Sequence, residues 1–346
     1  MIYTITAIST IIIVELLIKY KVFLSIPNSR SLHENEMPTS SGIALGFIVC
    51  IYYIQSSNPE MASIAFFICL LGALDDKFQI SQLVRLVVQI LITVFIISYS
   101  FTWVYIFESL LLIFIFVYFI NSYNFMDGID LLGISQAIFI LLSIVLIGQI
   151  VHPPLLYSTM IFNHNSIVLI SLMLLSLMII GYYNKTPSKI FLGSSGSYLL
   201  GLFITIILIE STTFFRFFVS NSSINFYPTI NYFTPLILYT VFLVDTFYVL
   251  TKKLFAYEDS RLSNKDWIVK KIKKLTSPHK THNYQKMVAQ GMSHHKVVVL
   301  LMIYNVVWCL PLAIASIYYQ NLASFCLVLS CLPYIIICNK NKAGVI

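Results

Sequence analysis

Charge is what this chain has least of. Asp, Glu, Lys and Arg make up 10% of its 346 residues, against 58% hydrophobic ones. That is too little to coat a soluble domain of this length, and a mean hydropathy of +0.87 points the same way. Acid is scarcer than base, with 14 acidic and 21 basic residues. Metal-type cysteine spacing is also missing. Cys50, Cys69, Cys309, Cys326, Cys331 and Cys338 all fall in apolar runs, which implies neither a thiolate metal centre nor a disulfide framework. No repeat and no soluble domain can be picked out. No small-residue cleavage site follows the first apolar run, which continues into Lys19-Tyr-Lys21 and is expected to be an anchor, not a removed signal peptide.

What remains is long apolar runs separated by short polar ones. At roughly 20 residues per membrane helix, the chain offers about eleven spans, near 2–24, 42–57, 61–74, 84–101, 104–120, 132–151, 166–183, 195–212, 233–251, 297–318 and 322–338. The expected fold is an all-α polytopic integral membrane protein, a single membrane-embedded domain over residues 1–346. The loop 252–296 is the one place for extramembrane structure. With the N-terminus outside, twenty of the twenty-one Lys and Arg residues fall on the inner face, and Arg216 alone falls outside. The positive-inside rule then orients the chain. The net charge of +7 describes a cytoplasmic face beside anionic lipid; no nucleic acid is implied.

Every polar cluster lands on that same face. Asp75-Asp76 follows an apolar run. Adjacent carboxylates repel unless a cation or proton relieves them, so a metal site, a general base, or a helix end neutralised by Lys77 are the readings. The stretch Asn121-Ser-Tyr-Asn-Phe-Met-Asp-Gly-Ile-Asp130 sets two carboxylates and two carboxamides at a helix mouth. Asn124 and Asp127 are three apart and share a face if helical, with Asn121 extending it. Hard oxygens so placed suit Mg²⁺, while capping of two helices by Asn and Asp is the plainer reading. In Gly193-Ser-Ser-Gly-Ser197 the small residues either admit a phosphate at a helix start or let helices pack closely. His279, Lys280 and His282 follow the basic run Lys270-Lys-Ile-Lys-Lys274. They either contact a diphosphate or continue a segment held at lipid headgroups. Arg30 and His33 bind phosphate or anchor the first span.

Together these clusters resemble the bacterial polyprenyl-phosphate N-acetylhexosamine-1-phosphate transferases, the superfamily that includes the phospho-MurNAc-pentapeptide translocases. The resemblance runs from Pro27 to His294. Gly72-x-x-Asp75-Asp76 with Arg85 and Gln89 is similar to the family's Asp-Asp motif. Asn121-x-x-Asn124-x-x-Asp127-Gly128-x-Asp130 is similar to its nucleotide and metal motif, and Asp245 falls at a recurring position. His279-Lys-Thr-His282-Asn-Tyr284-Gln285 resembles the loop of the O-antigen-initiating branch. Three places depart from the pattern: Ser40-Ser41 and Leu131 stand where glycines are usual, and Ser194 stands where Phe-x-Gly-Asp-x-Gly-Ser has its aspartate.

The resemblance implies transfer of a sugar 1-phosphate from a UDP-N-acetylhexosamine, a deoxy amino sugar among the candidates, to undecaprenyl phosphate. The site would face the cytoplasm at a bacterial inner membrane, and the pathway would be O-antigen or related glycan synthesis. It implies Mg²⁺, with Mn²⁺ as a substitute, held by Asn124 and Asp127 with Ser194 as a weak neutral ligand. Asp75, Asp76 and Asp127 would be the catalytic carboxylates. Asn121, Asp130, Gly193, Arg30, His33, His279, Lys280 and His282 would bind substrate, with loop 252–296 contributing. The alternative is a degenerate homologue that binds lipid phosphate or nucleotide sugar without turnover. A secondary transporter fits less well, because the carboxylates gather at span ends and not at the midplane.

Overall fold

A computed structural model describes residues 1–25, 36–100, 106–151, 164–210, 230–255 and 280–345. The described chain is helical apart from one two-stranded antiparallel ribbon, β1 (Leu24–Ser25) with β2 (Met37–Pro38), in which Leu24 pairs with Pro38. The helices are α1 (Ile2–Tyr20), α2 (Gly42–Gln55), α3 (Pro59–Phe78), α4 (Gln82–Ser100), α5 (Ile106–Met126), α6 (Leu132–Val151) and α7 (His164–Asn184). There follow α8 (Gly193–Glu210), α9 (Phe233–Leu238), α10 (Thr240–Phe255), α11 (Asn283–Ala289), α12 (His294–Ile303), α13 (Leu310–Tyr318) and α14 (Ala323–Lys340). It is a polytopic membrane protein.

Among the described residues, seven helical segments are long and apolar enough to cross a membrane, where the sequence suggested eleven. The difference has three causes. Helices α2 and α8 are apolar but short. Helix α3 carries Glu60, Asp75, Asp76 and Lys77 within its 20 residues. The expected span 233–251 is broken at Tyr239 into α9 and α10. Conversely α12 runs through a π-helical stretch, Tyr304–Cys309, into α13 as one 25-residue span. The widened turn lies just before Pro311, whose missing N–H disturbs regular helical bonding there.

Helix α8 is the centre of the first lobe. It is buried on nearly every side, as its uniformly apolar sequence requires, and α2, α3, α5 and α6 pack around it. Helices α1 and α7 pack at the rim. A second lobe joins α9, α10, α13 and α14. Two boundaries position the polar clusters. Helix α3 continues through Asp75 and Asp76, which form its last turn. Helix α5 continues to Met126, so Asn121 and Asn124 are helical. Its 21 residues rise about 31 Å at 1.5 Å each, one hydrocarbon thickness, which puts this polar end at the membrane boundary.

Candidate active site

Helices α3, α5 and α8 bring their polar ends to one place. Asp75 and Asp76 are sequence neighbours with different surroundings. Asp75 is buried and closed off: Arg85 Nη1 donates to its Oδ2 at 2.8 Å, Tyr198 OH donates to the same oxygen at 2.8 Å, and Arg85 also reaches Tyr198 OH at 3.1 Å. Asp76 is half-buried and, among the described residues, accepts only neutral donors. Ser40 Oγ lies at 2.5 Å, the Ser194 N–H at 2.9 Å, and the Ser194 hydroxyl also donates. Its carboxylate therefore rests at the N-terminus of α8, where backbone N–H groups favour negative charge. Gly193 has φ +75°, and a Cβ there would overlap Asp76 Oδ2 and press on Ser40 N at 2.7 Å, so the approach requires glycine.

From α5, Asn124 Oδ1 accepts Ser197 Oγ at 2.8 Å. Asp127 lies just past the helix end, against Gly133, whose backbone N–H it accepts. Burial, and next the nearby negative charge of Asp76, push the Asp127 carboxyl up to about 7; the Gly133 N–H opposes them and Asp130 adds to them. Among the described residues, neither Asp76 nor Asp127 has a basic group within ion-pair distance.

The turn between α5 and α6 is tightly staked. Leu131 N donates to Asn184 Oδ1 at 2.7 Å, and Tyr123 OH donates to Gly133 O at 2.5 Å. Asp130 accepts Thr186 Oγ1 at 2.8 Å and lies 3.3 Å from His294 Nδ1. Burial alone would raise the Asp130 carboxyl, but the bonds from His294 and Thr186 overcome it and hold the group below its ordinary value. Two of the departures noted in the sequence gain a meaning here. Ser40 (φ 69°) and Leu131 (φ 67°) both adopt the left-handed conformation that glycine takes freely.

Other expected residues are placed elsewhere. Asn121 faces α4: its Nδ2 donates to Gln89 Oε1 at 2.6 Å and Val117 O at 2.8 Å. It lines the polar end of an apolar cavity of about 420 Å³ between α4, α5 and α10, walled by Leu86, Ile90, Phe114, Tyr118 and Leu250. His282 is buried, with Nδ1 2.9 Å from Asp245 Oδ1, and so is engaged in a structural contact on at least one side. Lys280 is exposed. Arg30, His33 and His279 lie outside the described residues. Reading the sequence missed Tyr198 and Thr186, which carry no signal as isolated hydroxyls.

No group of three or more His, Cys, Asp or Glu side chains among the described residues forms a metal cage. The donors nearby are hard oxygens: hydrogen bonds link Asp76 to Ser194 and Asn124 to Ser197, and Asp127 feels the charge of Asp76. Mg²⁺ accepts such a set, taking one or two carboxylates and completing its shell with phosphate and water.

Residues 59–212, the segment that supplies α3 to α8, match the family model described as Glycosyl transferase family 4. That segment of the chain is similar to the family. The chain is 25% identical over 307 residues to a Bacillus subtilis protein named probable undecaprenyl-phosphate N-acetylglucosaminyl 1-phosphate transferase, covering 80% of the chain and 72% of the relative. It is 30% identical over 192 residues to an undecaprenyl-phosphate alpha-N-acetylglucosaminyl 1-phosphate transferase of Thermotoga maritima, covering 53% of the chain and 55% of the relative. An Escherichia coli protein of the same name is 32% identical over 208 residues, 54% of each chain. The alignment thus spans just over half the length of the latter two.

Proposed function

We propose that the protein transfers a sugar 1-phosphate from a UDP-N-acetylhexosamine to undecaprenyl phosphate, giving the polyprenyl-diphosphate sugar and UMP. We place the reaction at the cytoplasmic face of a bacterial plasma membrane, at the start of O-antigen or a related cell-envelope glycan. The observation that carries this reading is the Asp76–Asp127 pair. Two carboxylates press on each other's charge, surrounded by neutral donors and without a basic partner among the described residues, at the edge of a membrane. Such a pair is costly unless a cation joins it. The names of the aligned relatives supply the substrate classes.

In this reaction a lipid-phosphate oxygen attacks the sugar-bearing phosphorus in line. The bond from that phosphorus to the bridging oxygen breaks, and UMP departs with the oxygen. Such transfers need positioning and charge neutralisation more than covalent help. Asn124 and Asp127 would hold Mg²⁺, with Ser194 as a neutral ligand, and the ion would supply charge neutralisation on the diphosphate. Of the two adjacent aspartates, Asp76 takes the remaining proton of the lipid phosphate, because Asp75 is already spoken for by Arg85 and Tyr198. Asp130, fixed by Thr186 and His294, faces the nucleotide. Asn121 marks where the cavity that receives the prenyl chain meets the polar site.

Ser194 favours a second reading, binding without turnover, since serine there removes a full negative charge. Against it, Asp76 lies hydrogen-bonded to residue 194, so a carboxylate is present at that spot. The test is turnover with a panel of radiolabelled UDP-N-acetylhexosamines and undecaprenyl phosphate, with and without Mg²⁺, for the parent and Ser194→Asp. Mg²⁺-dependent UMP release by the parent removes the binding-only reading. No turnover by the parent, with turnover by the variant, overturns the enzyme reading.

A further inference from the structure

We infer that Tyr284 is a positioning residue that braces the Asp127 turn from a lock built on Asp245. It rests on the proposed role of Asp127 for its catalytic consequence, and on packing alone for the brace itself.

The brace begins with Gly128. A Cβ at that position would overlap the Tyr284 hydroxyl and lie 3.0 and 3.1 Å from two ring carbons. The same hydroxyl donates to Phe125 O at 2.9 Å. One phenol therefore touches the backbone on both sides of Asp127, two residues before it and one after. Tyr284 is 1% exposed, so the contact is made inside the protein. The His282 ring stacks between Phe125 and Tyr284, with centroids at 6.2 and 6.0 Å and tilts of 27° and 18°. Phe125, His282 and Tyr284 form one column against the end of α5.

The far side of the column is fastened to the second lobe. Asp245 of α10 is fully buried, and four hydrogen bonds meet its carboxylate. His282 Nδ1 lies at 2.9 Å, the Asn283 N–H reaches both oxygens at 3.0 Å, and Tyr334 OH donates at 3.2 Å. Asn283 in turn donates to Tyr334 OH at 3.2 Å and accepts Asn341 Nδ2 at 2.8 Å. Gly344 N donates to Thr281 O at 2.8 Å. A buried carboxylate satisfied this completely gives a rigid anchor, and removing one partner leaves the charge uncompensated. Segment 281–285 is thereby held to α10 and α14 at one end, and its Tyr284 holds the Asn124–Asp127 end of α5 at the other. Asp245, which touches no part of the metal-binding set, acts on it through His282, Asn283 and Tyr284.

The test is a double-mutant cycle on the full chain in detergent with Gly128→Ala and Tyr284→Phe, read by melting temperature and by turnover. Gly128→Ala alone lowers the melting temperature and cuts kcat by about a hundredfold, the scale of an ångström-size misplacement. Tyr284→Phe alone loses one hydrogen bond and lowers kcat about tenfold, with KM for the UDP-sugar within about twofold. In the pair, removal of the overlapping hydroxyl returns part of both losses, at least about fivefold in kcat, because neighbours that share a contact are not additive. Additive losses in melting temperature overturn the brace. Wild-type kcat in Tyr284→Phe, or a loss confined to KM, overturns the positioning role. If the wild type shows no turnover, the functional reading fails by itself, and the melting-temperature cycle still decides the brace.

Discussion

Asp75 and Asp76 are adjacent in sequence, yet replacing each by asparagine should produce opposite outcomes. In Asp75→Asn the Arg85 guanidinium and the Tyr198 hydroxyl lose a charged acceptor that each meets at 2.8 Å. The Asp75 and Arg85 side chains are 7% and 16% exposed, so solvent screens this pair little. Hydrogen bonds to charged groups contribute about 1.5–3 kcal/mol each, and breaking a buried pair costs about 3–5 kcal/mol. The expected loss for Asp75→Asn is thus about 3 kcal/mol, since the amide oxygen still accepts weakly. Asp76→Asn removes a charge that repels Asp127 and has no cationic partner among the described residues. Its amide oxygen can still accept the Ser194 N–H. The expected change in stability is within about 1 kcal/mol of zero. Thermal unfolding of purified protein in detergent, paired with turnover, reads both quantities. Asp75→Asn should melt well below the parent, whereas Asp76→Asn should melt near it and lose turnover. Equal destabilisation by the two substitutions would show that Asp76 is a structural carboxylate, and the division of labour proposed above would be wrong.

Protons should compete with Mg²⁺ at Asp127. Burial and the charge of Asp76 push its carboxyl up to about 7, so protonation should block the ligand below that pH. The Mg²⁺ concentration giving half the stabilisation should rise about tenfold from pH 8 to pH 6, and Asp127→Asn should flatten the trend in a melting-temperature titration. At Asp130 the shift is downward, so its charge persists through neutrality and is lost only on acidification. Thr186→Val should raise KM for the UDP-sugar several-fold with kcat little changed. Leu131→Gly should raise the melting temperature, since it relieves a left-handed backbone strain of about 1 kcal/mol; an unchanged or lower value would mean the leucine side chain offsets that strain. Leu250→Trp, filling the cavity between α4, α5 and α10, should weaken undecaprenyl phosphate while sparing the UDP-sugar, as steady-state kinetics with each substrate varied would report.

Much of the candidate site was legible because charge near a membrane is expensive. Asp75, Asp76, Asp127 and Asp130 stand out against apolar surroundings, and the one-sided distribution of Lys and Arg groups them on one face. Helix boundaries were less legible. Hydropathy ends a span where polarity begins, but the backbone keeps its hydrogen bonds through the polar turn, so α3 includes Asp75-Asp76 and α5 includes Asn121 and Asn124. For the same reason four apolar runs counted as spans are short, charged or broken helices.

By itself the sequence determined that the chain lies in a membrane, which ends of its helices gather polar groups, and that hard oxygen donors dominate there. These depend on composition and spacing, which are local. Only the tertiary structure decided which oxygens remain available. Packing paired Asp75 with Arg85 and Tyr198, turned Asn121 toward Gln89 and the apolar cavity, and tied His282 to Asp245. It also set Asp76 against the start of α8 and Tyr284 against Gly128. Each of these joins residues distant in the chain, and the partner of a buried polar group is chosen by whichever helix happens to cross it, which spacing along one helix cannot express.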